Sequence, residues 1–211
     1  MPEIFILLAG YAMGCLQSAY FAGRLVKKID IREHGSGNAG TTNAVRVIGF
    51  KAGLVVLFFD LGKTVLAVML ANQIFNGRLF GLEGIEHLPG LLAGLGVVLG
   101  HNFPFYLKFR GGKGVAASLV LVLMFDWRIL VVVAVASVFV IMVTKYVSLA
   151  SLTGFAIFPI YTAVLGQPIE ITAVACAIGL LGFIAHRKNI VRLLKGEEKK
   201  FDLKRLRGWD A

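Results

Sequence analysis

The chain has 211 residues, of which 57% are hydrophobic and 16% are charged, whereas a typical soluble domain has about 25% charged residues. This composition argues against a soluble globular domain, because a bilayer rather than water would have to cover so much apolar surface. The net charge is +10, but the basic residues flank apolar segments. We therefore expect a lipid bilayer as the partner and no nucleic acid.

Seven apolar segments are predicted to be the transmembrane helices of an all-α integral membrane protein. In chain order they cover residues 4–23, 52–71, 88–100, 115–125, 129–144, 147–165 and 169–185. The third and fourth are shorter than the ~20 residues that a span needs, so we expect the third to be extended or partly re-entrant. Glu3 stands where a signal peptide carries Lys or Arg, so the first segment is expected to be retained. Pro159 predicts a kink in the sixth.

Three pairs of glycines have the GxxxG spacing that lets membrane helices pack closely. They are Gly10 and Gly14, Gly90 and Gly94, and Gly96 and Gly100. We predict that each pair lies on a helix-packing face.

The loop after the first segment, residues 34–43 (loop 1), interleaves glycine with short polar side chains. It reads HGSGNAGTTN, and Arg46 follows it. Its glycines formally match GxGxxG, but a dinucleotide site needs a preceding strand in a βαβ unit, whereas here a membrane helix precedes the loop. Glycines let backbone N–H groups face an anion, and a helix that follows would point its positive end at the same place. We therefore favour an anion site over a flexible turn.

Asp60 and Lys63 lie inside the second segment. At about 1.5 Å per residue from Lys51, Asp60 is near the middle of the bilayer. Charges at that depth usually pair with each other or line a polar cavity. Two interpretations stay open: an ion pair between residues i and i+3, or the border of a polar substrate pocket.

A second glycine-rich loop, residues 108–114 (loop 2), precedes the fourth segment and reads KFRGGKG. It is not a Walker A sequence, because position 107 is Leu where that sequence needs Gly. Positive charge at a membrane surface explains Lys108 and Arg110, but not the glycines around Lys113. The pattern therefore predicts a cationic phosphate site at a helix N-terminus.

The tail begins with HRKNIVRLL at residues 186–194. If these residues continue the seventh helix, His186, Asn189 and Arg192 form one polar face at positions i, i+3 and i+6. That face carries donors suited to phosphate oxygens. The alternative is an interfacial amphipathic helix, and we favour this interpretation for the lysines of the tail.

Basic residues divide unevenly between the two sets of loops. When the seven segments alternate, 19 of the 22 Lys and Arg residues fall in residues 24–51, 101–113, 145 and 186–211. The positive-inside rule places these loops in the cytoplasm. We therefore predict a multi-pass protein of the cytoplasmic membrane with its N-terminus outside and its C-terminus in the cytoplasm.

Three ordered stretches resemble the motifs of the bacterial acyl-phosphate:glycerol-3-phosphate acyltransferases. They are SGNAGTTN at residues 36–43, GGKGVA at 111–116 and HRKNIVRL at 186–193. DLGK at 60–63 and YVSLAS at 146–151 are similar to further patterns of that family. Two positions depart from it: Thr41 stands where the family usually has Ala, and Lys188 stands where it often has Glu.

The resemblance runs from the first segment to about residue 198. We therefore expect a single transmembrane domain over residues 1–198 and a basic cytoplasmic tail over residues 199–211.

This resemblance implies a seven-span transferase with its active site at the cytoplasmic face. The family moves an acyl chain from acyl-phosphate to the 1-hydroxyl of glycerol 3-phosphate, giving lysophosphatidate and phosphate. It uses neither acyl-CoA nor acyl-carrier protein directly and has no metal, so we expect no cofactor and no obligate protein partner. Because an acyl phosphate is already activated, orientation and charge neutralisation can carry much of the rate.

The candidate site residues follow from the matched motifs. As catalytic residues we predict Ser36, Arg46, Lys113, His186 and Asn189; as substrate- or phosphate-binding residues Gly35, Gly37, Asn38, Gly40, Thr42, Asn43, Gly111, Gly112, Gly114 and Arg192; and as secondary residues Asp60, Lys63 and His101. Ser36 and the backbone of loop 1 would hold a phosphate, which Arg46 and Lys113 would neutralise. His186 and Asn189 would orient glycerol 3-phosphate. A phosphate oxygen of the substrate, or the competing base His186, would take the hydroxyl proton; Ser36 as an acylated nucleophile is a weaker alternative.

Two other classes of function compete with the transferase. A transporter of organic phosphates would need polar groups on a path to both faces, whereas the outer loops here are short and poor in functional side chains. A non-catalytic lipid-binding scaffold would not require the glycines around Lys113. We therefore favour the enzyme.

Overall fold

The structure, a computed structural model, describes residues 2–75 and 87–200. Within those ranges all regular secondary structure is helical. The α-helices are α1 (Pro2–Gly14), α2 (Ser18–Val26), α3 (Thr41–Ile48), α4 (Phe50–Phe75), α5 (Leu88–Asn102), α6 (Val115–Phe125), α7 (Trp127–Thr144), α8 (Val147–Val164), α9 (Ile169–Ala185) and α10 (Arg187–Leu194). Two short 3₁₀ helices cover Ile31–Glu33 and Phe105–Leu107.

Apart from a break in the first, the predicted apolar segments are helical, which confirms the all-α class for the residues that the structure describes. Among the described residues, five stretches are long and apolar enough to cross a bilayer: Pro2–Val26, Phe50–Phe75, Leu88–Leu107, Trp127–Thr144 and Val147–Val164. A sixth is added if α9 and α10, which are bent by 61°, form one span. Helix α6 has 11 residues, and at about 1.5 Å per residue it covers roughly half of a ~30 Å hydrocarbon core. Seven crossings and the orientation therefore stay predictions.

The chain divides into two compact units, residues 1–125 and 126–211. The predicted boundary near residue 198 stays a prediction, because residues 201–211 lie outside the described part of the chain.

The first segment, predicted as one helix, breaks between α1 and α2. Side chains from elsewhere in the first unit satisfy the carbonyls at the break. Lys63 Nζ donates to Leu16 O at 2.8 Å, and Tyr106 Oη donates to Cys15 O at 2.7 Å. Gln17 is fully buried, and its amide donates to carbonyls of α1 and α5. A helix can break at membrane depth when protein groups satisfy its backbone in this way.

Helices α1 and α5 pack through glycines with their backbones in contact. A Cβ at Gly10 or Gly14 would collide with the backbone of α5. A Cβ at Gly96 or Gly100 would collide with the backbone of α1. The remaining pair, Gly90 and Gly94, faces side chains of α4 and α6. All three pairs are therefore helix-packing faces, as predicted.

The unit of residues 126–211 contains α7 to α10 in its described part. Gly179 and Gly182 of α9 pack against Phe155 of α8. Pro159 lies inside α8, which is helical on both sides of it. Helix α7 exposes large apolar side chains, including Phe139 and Met142, which suits a helix surface in contact with lipid.

Candidate active site

Loop 1 is folded around the side chain of Asn43, which is 1% exposed. Its amide nitrogen donates to Ile31 O at 3.0 Å and to His34 O at 3.1 Å. Its Oδ1 accepts the backbone N–H of Ser36 at 2.8 Å. Gly35 has a φ of +65° and lies against Asn43 with no room for a Cβ, so this position needs glycine. Asn43 therefore holds the loop, and its predicted phosphate binding stays a prediction.

The other polar side chains of loop 1 and α3 face outward. Ser36, Thr42 and Arg46 are exposed, Asn38 is half-buried, and Gly37 has a φ of +73° between them. Gly40 is the residue before α3, so the first N–H groups of α3 open towards the loop. Helix α3 thus begins within loop 1, at Thr41.

Arg32 joins loop 1 to the start of loop 2. Its Nη1 donates to Leu107 O at 2.8 Å and to Arg110 O at 3.2 Å, while its Nη2 lies 2.6 Å from Asp30 Oδ2. The hydrogen bonds from Arg32 hold the pKa of Asp30 below its usual range, against the opposing effect of burial. Sequence analysis missed both residues, because Asp30 and Arg32 are neighbours in the chain. Nothing in their spacing indicates that Arg32 binds a loop 75 residues away. The two predicted anion loops therefore lie side by side.

Loop 2 packs on the C-terminal end of α5. The backbone N–H of Gly111 donates to Asn102 O at 3.1 Å, and that of Gly112 donates to His101 O at 2.9 Å. A Cβ at Gly111 would collide with the backbone of His101, and a Cβ at Gly112 would collide with the imidazole ring of His101 and crowd Ala39 O. These glycines therefore have a packing function, which sequence analysis did not include when it assigned them to phosphate binding.

Lys113 and Gly114 lead directly into α6. Gly114 has a φ of +71° and lies beside Asn102, whose side chain is buried. Neither amide atom of Asn102, nor the buried Oγ of Ser118 one turn into α6, has a hydrogen-bond partner among the described residues. Since the first N–H groups of a helix also lack intrahelical partners, the start of α6 is rich in polar groups. Together with half-buried Lys113, they suit a phosphate.

The intramembrane charges form an ion pair, in agreement with the first of the two interpretations. Lys63 Nζ lies 2.8 Å from Asp60 Oδ1, and both side chains are buried. Lys63 Nζ also lies 3.2 Å from Nδ1 of His101, and Ser18 Oγ donates to Asp60 Oδ1 at 2.9 Å. The pair therefore belongs to a polar network inside the first unit.

In the second unit, Glu198 brings together two of the predicted site residues. Asn189 Nδ2 donates to Glu198 Oε1 and Arg192 Nε donates to Glu198 Oε2, each at 2.6 Å. Ser148 Oγ donates to Oε1 at 2.8 Å. Burial alone would raise the pKa of Glu198, but these hydrogen bonds outweigh it and keep the pKa below its usual range. Sequence analysis missed Glu198, although Ser148 lies in the YVSLAS stretch and Glu198 at the end of the resemblance.

His186 lies where α9 ends and α10 begins, at the 61° bend. Because of this bend, the expected face of three residues on one continuous helix does not form, and only Asn189 and Arg192 share a face of α10. His186 is 1% exposed, and its Nδ1 lies 2.8 Å from Gly182 O. A carbonyl oxygen can only accept, so Nδ1 carries a hydrogen.

Comparison with known proteins places these features in one family. The sequence profile of the glycerol-3-phosphate acyltransferase family matches residues 4–196. The chain is 39% identical over 204 residues to the glycerol-3-phosphate acyltransferase of Thermoanaerobacter pseudethanolicus, which covers 97% of this chain and 98% of the relative. It is 40% identical over 208 residues to that of Rhodospirillum rubrum, covering 97% and 95%.

A solved structure is similar over the whole length. The crystal structure of PlsY (YgiH), an integral membrane glycerol 3-phosphate acyltransferase, in its glycerol 3-phosphate form matches with a TM-score of 0.82 and 32% sequence identity. The match covers 99% of this chain and 100% of the other. The lysophosphatidic acid form of PlsY matches with a TM-score of 0.80.

Proposed function

Because the chain belongs to the glycerol-3-phosphate acyltransferase family, we propose that it transfers an acyl group from acyl-phosphate to the 1-hydroxyl of glycerol 3-phosphate. The observation that carries this proposal is the contact between loop 1 and loop 2, where Gly112 lies against Ala39 O. Each loop leads into a helix N-terminus, that of α3 or α6. The two substrates bring two phosphate groups, and two adjacent helix N-termini suit two anions.

The reaction needs positioning and charge neutralisation more than a nucleophile on the enzyme. The 1-hydroxyl oxygen forms an ester bond to the acyl carbon, the bond from that carbon to the phosphate oxygen breaks, and phosphate leaves with the electron pair. Ser36 and the backbone of loop 1 hold a phosphate, and Arg46 and Lys113 neutralise its charge. Such contacts lower the barrier when they are formed in advance of the reaction.

The proton of the attacking hydroxyl has two candidate acceptors, a phosphate oxygen of the substrate and Nε2 of His186. We favour the phosphate oxygen, because the reaction itself supplies it and His186 is 1% exposed. His186 and Asn189 then orient glycerol 3-phosphate, and Arg192 contributes a guanidinium group to its phosphate.

We also propose a cytoplasmic-membrane location with seven crossings, the N-terminus outside and the active site at the cytoplasmic face. The support is the distribution of charge, since 19 of the 22 Lys and Arg residues fall in one set of loops and loops 1 and 2 both belong to that set. The reaction as written requires neither a metal nor an organic cofactor.

The test uses purified full-length protein in detergent or lipid cubic phase with palmitoyl phosphate and glycerol 3-phosphate. Phosphate release and lysophosphatidate are followed together, and a parallel reaction replaces the donor with palmitoyl-CoA. We expect product from the acyl phosphate and none from the thioester. Lys113→Ala should lower kcat/KM by about 100-fold, since it removes a charge next to the reacting phosphate. Arg110→Ala is the matched control, because Arg110 is an exposed cation of the same loop and should leave kcat/KM nearly unchanged.

The outcomes separate the alternatives. Product from palmitoyl-CoA alone would reject the proposed donor and keep the acyltransferase. An equal loss in both variants would assign the effect to net charge rather than to Lys113. No product from either donor, with protein shown to be folded, would favour the phosphate transporter, which flux assays in liposomes would then examine.

A further inference from the structure

His101 lies between the buried ion pair and loop 2. Its backbone oxygen accepts the N–H of Gly112 at 2.9 Å, so one backbone hydrogen bond already ties loop 2 to His101. A Cβ on Gly112 would collide with Nε2 of the His101 ring and would crowd Ala39 O of loop 1. One imidazole nitrogen thus lies at the point where loops 1 and 2 meet.

The other imidazole nitrogen faces away from the loops. Nδ1 lies 3.2 Å from Lys63 Nζ, and Lys63 in turn lies 2.8 Å from Asp60 Oδ1. Ser18 Oγ donates to the same carboxylate oxygen at 2.9 Å. The His101 ring is therefore held on one side by a buried network, which also satisfies carbonyls at the break between α1 and α2.

The direction of these bonds defines what the ring presents to the loops. The Lys63 ammonium group can only donate, so Nδ1 accepts, and the neutral ring carries its hydrogen on Nε2. Nε2 therefore lies on the loop side of the ring, against Gly112, where a Cβ would collide with it. The His101 ring therefore supports the backbone at Gly112, and Lys113 is the next residue of the loop.

We propose that His101 is a positioning residue: through Nε2 it fixes the backbone of loop 2 against loop 1 and so places Lys113, while Nδ1 anchors the ring to the Asp60–Lys63 pair. The proposal deepens the proposed function and rests on it, because substrate kinetics supply the measurement. It gives the intramembrane pair a function in catalysis without any contact between the pair and a substrate.

Two substitutions separate the two ring nitrogens. His101→Gln places an amide nitrogen near the position of Nε2 and withdraws the acceptor for Lys63. His101→Asn places an amide oxygen near the position of Nδ1 and leaves the loop side empty. If Nε2 positions the loop, His101→Asn should raise the KM for glycerol 3-phosphate by about tenfold with an unfolding temperature close to that of the wild type. His101→Gln should keep the KM within about threefold and unfold at a lower temperature.

The opposite pattern would overturn the proposal: a wild-type KM in His101→Asn, or a KM that follows the loss of stability in both variants. If neither variant folds, Gly112→Ala decides, because the nearest atom to its methyl group is Nε2 of the His101 ring. It should raise the same KM, and an unchanged KM would reject the proposal. Wild-type protein is assayed first. If the proposed function is wrong, the wild-type protein gives no product. If only this inference is wrong, the wild-type protein is active but the KM values of the variants do not follow the expected order.

Discussion

The amide of Asn43 shows how a single buried side chain can determine the path of a binding loop. It bonds three backbone groups of residues 31–36 through both of its polar atoms. This arrangement requires an acceptor and two donor hydrogens on one planar group, which Asn supplies and Asp does not. The exposed Ser36 therefore depends on Asn43 for its position.

We predict that Asn43→Asp disrupts loop 1. The carboxylate keeps the acceptor for the Ser36 N–H, but it removes both donors and faces the carbonyls of Ile31 and His34. The loss of two hydrogen bonds and the burial of a charge should lower the free energy of unfolding by about 3 kcal/mol. Thermal unfolding in detergent, together with kcat/KM, measures this effect.

Asn72→Asp is the matched control for that substitution. The structure shows Oδ1 of Asn72 accepting the Gly90 N–H at 2.7 Å, and an aspartate retains this acceptor. Its unfolding temperature should fall less than that of Asn43→Asp. Equal losses in the two variants would mean that the donors of Asn43 do not hold the loop.

At the scale of elements, α10 is tied to the second unit by one carboxylate. Glu198 accepts from Asn189 and Arg192 of α10 and from Ser148 of α8, so it joins the chain after α10 to two helices. A short helix of eight residues has little stability of its own. The orientation of Asn189 and Arg192 therefore depends on Glu198.

We predict that Glu198→Gln lowers the free energy of unfolding by about 2 kcal/mol, because a charged acceptor is lost and an amide N–H₂ is turned towards Arg192. Glu197→Gln serves as the control, since Glu197 is an exposed neighbour. Thermal unfolding at pH 7 compares the two. A loss in Glu197→Gln as large as that in Glu198→Gln would assign the effect to net charge.

The same carboxylate gives a pH dependence. Its pKa in the folded protein is lower than the ordinary value of 4.5, so its stabilising effect is complete above about pH 4.5 and is lost as the pH falls through the folded-state pKa. The unfolding temperature of the wild type should thus fall more steeply below pH 4.5 than that of Glu198→Gln. Parallel curves for the two proteins would contradict this assignment.

At the scale of the whole molecule, apolar segments predict the helices well because a bilayer offers the backbone no other partner. The predicted ranges 115–125 and 169–185 coincide with α6 and α9. The break between α1 and α2 could not be predicted from the apolar segments. Residues 15–17 do not signal a break by themselves, and the groups that satisfy it, Lys63 and Tyr106, come from distant parts of the chain.

The candidate site was likewise predictable only in part from the sequence. The matched motifs locate both glycine loops and the start of α10, but they do not distinguish a residue that faces a ligand from one that folds the loop. Asn43 and Gly112 prove to hold structure, and Arg32 and Glu198 escaped notice. Each of these assignments depends on a contact between residues that are not adjacent in the chain. Such contacts produce no periodic pattern in the sequence.

The orientation in the membrane can be tested with cysteines on either side of α6. Arg110→Cys and Arg128→Cys are made in a Cys176→Ser background, because Cys176 is exposed while Cys15 is buried. In intact cells a membrane-impermeant maleimide should label Arg128→Cys, and it should label Arg110→Cys only after permeabilisation. Labelling of both from the same side would mean that α6 does not cross and that the predicted topology is wrong.

The shortness of α6 bears on how two substrates of opposite solubility can meet. With α6 crossing as proposed, its 11 residues span only about 16 Å, so the hydrocarbon core beside this helix would be thinner than its usual ~30 Å. Drawing a palmitoyl chain out of the hydrocarbon would cost about 12 kcal/mol at ~0.8 kcal/mol per CH₂ group. In the proposed reaction, such thinning would let the acyl chain stay in the hydrocarbon and glycerol 3-phosphate stay in water while their reacting ends meet.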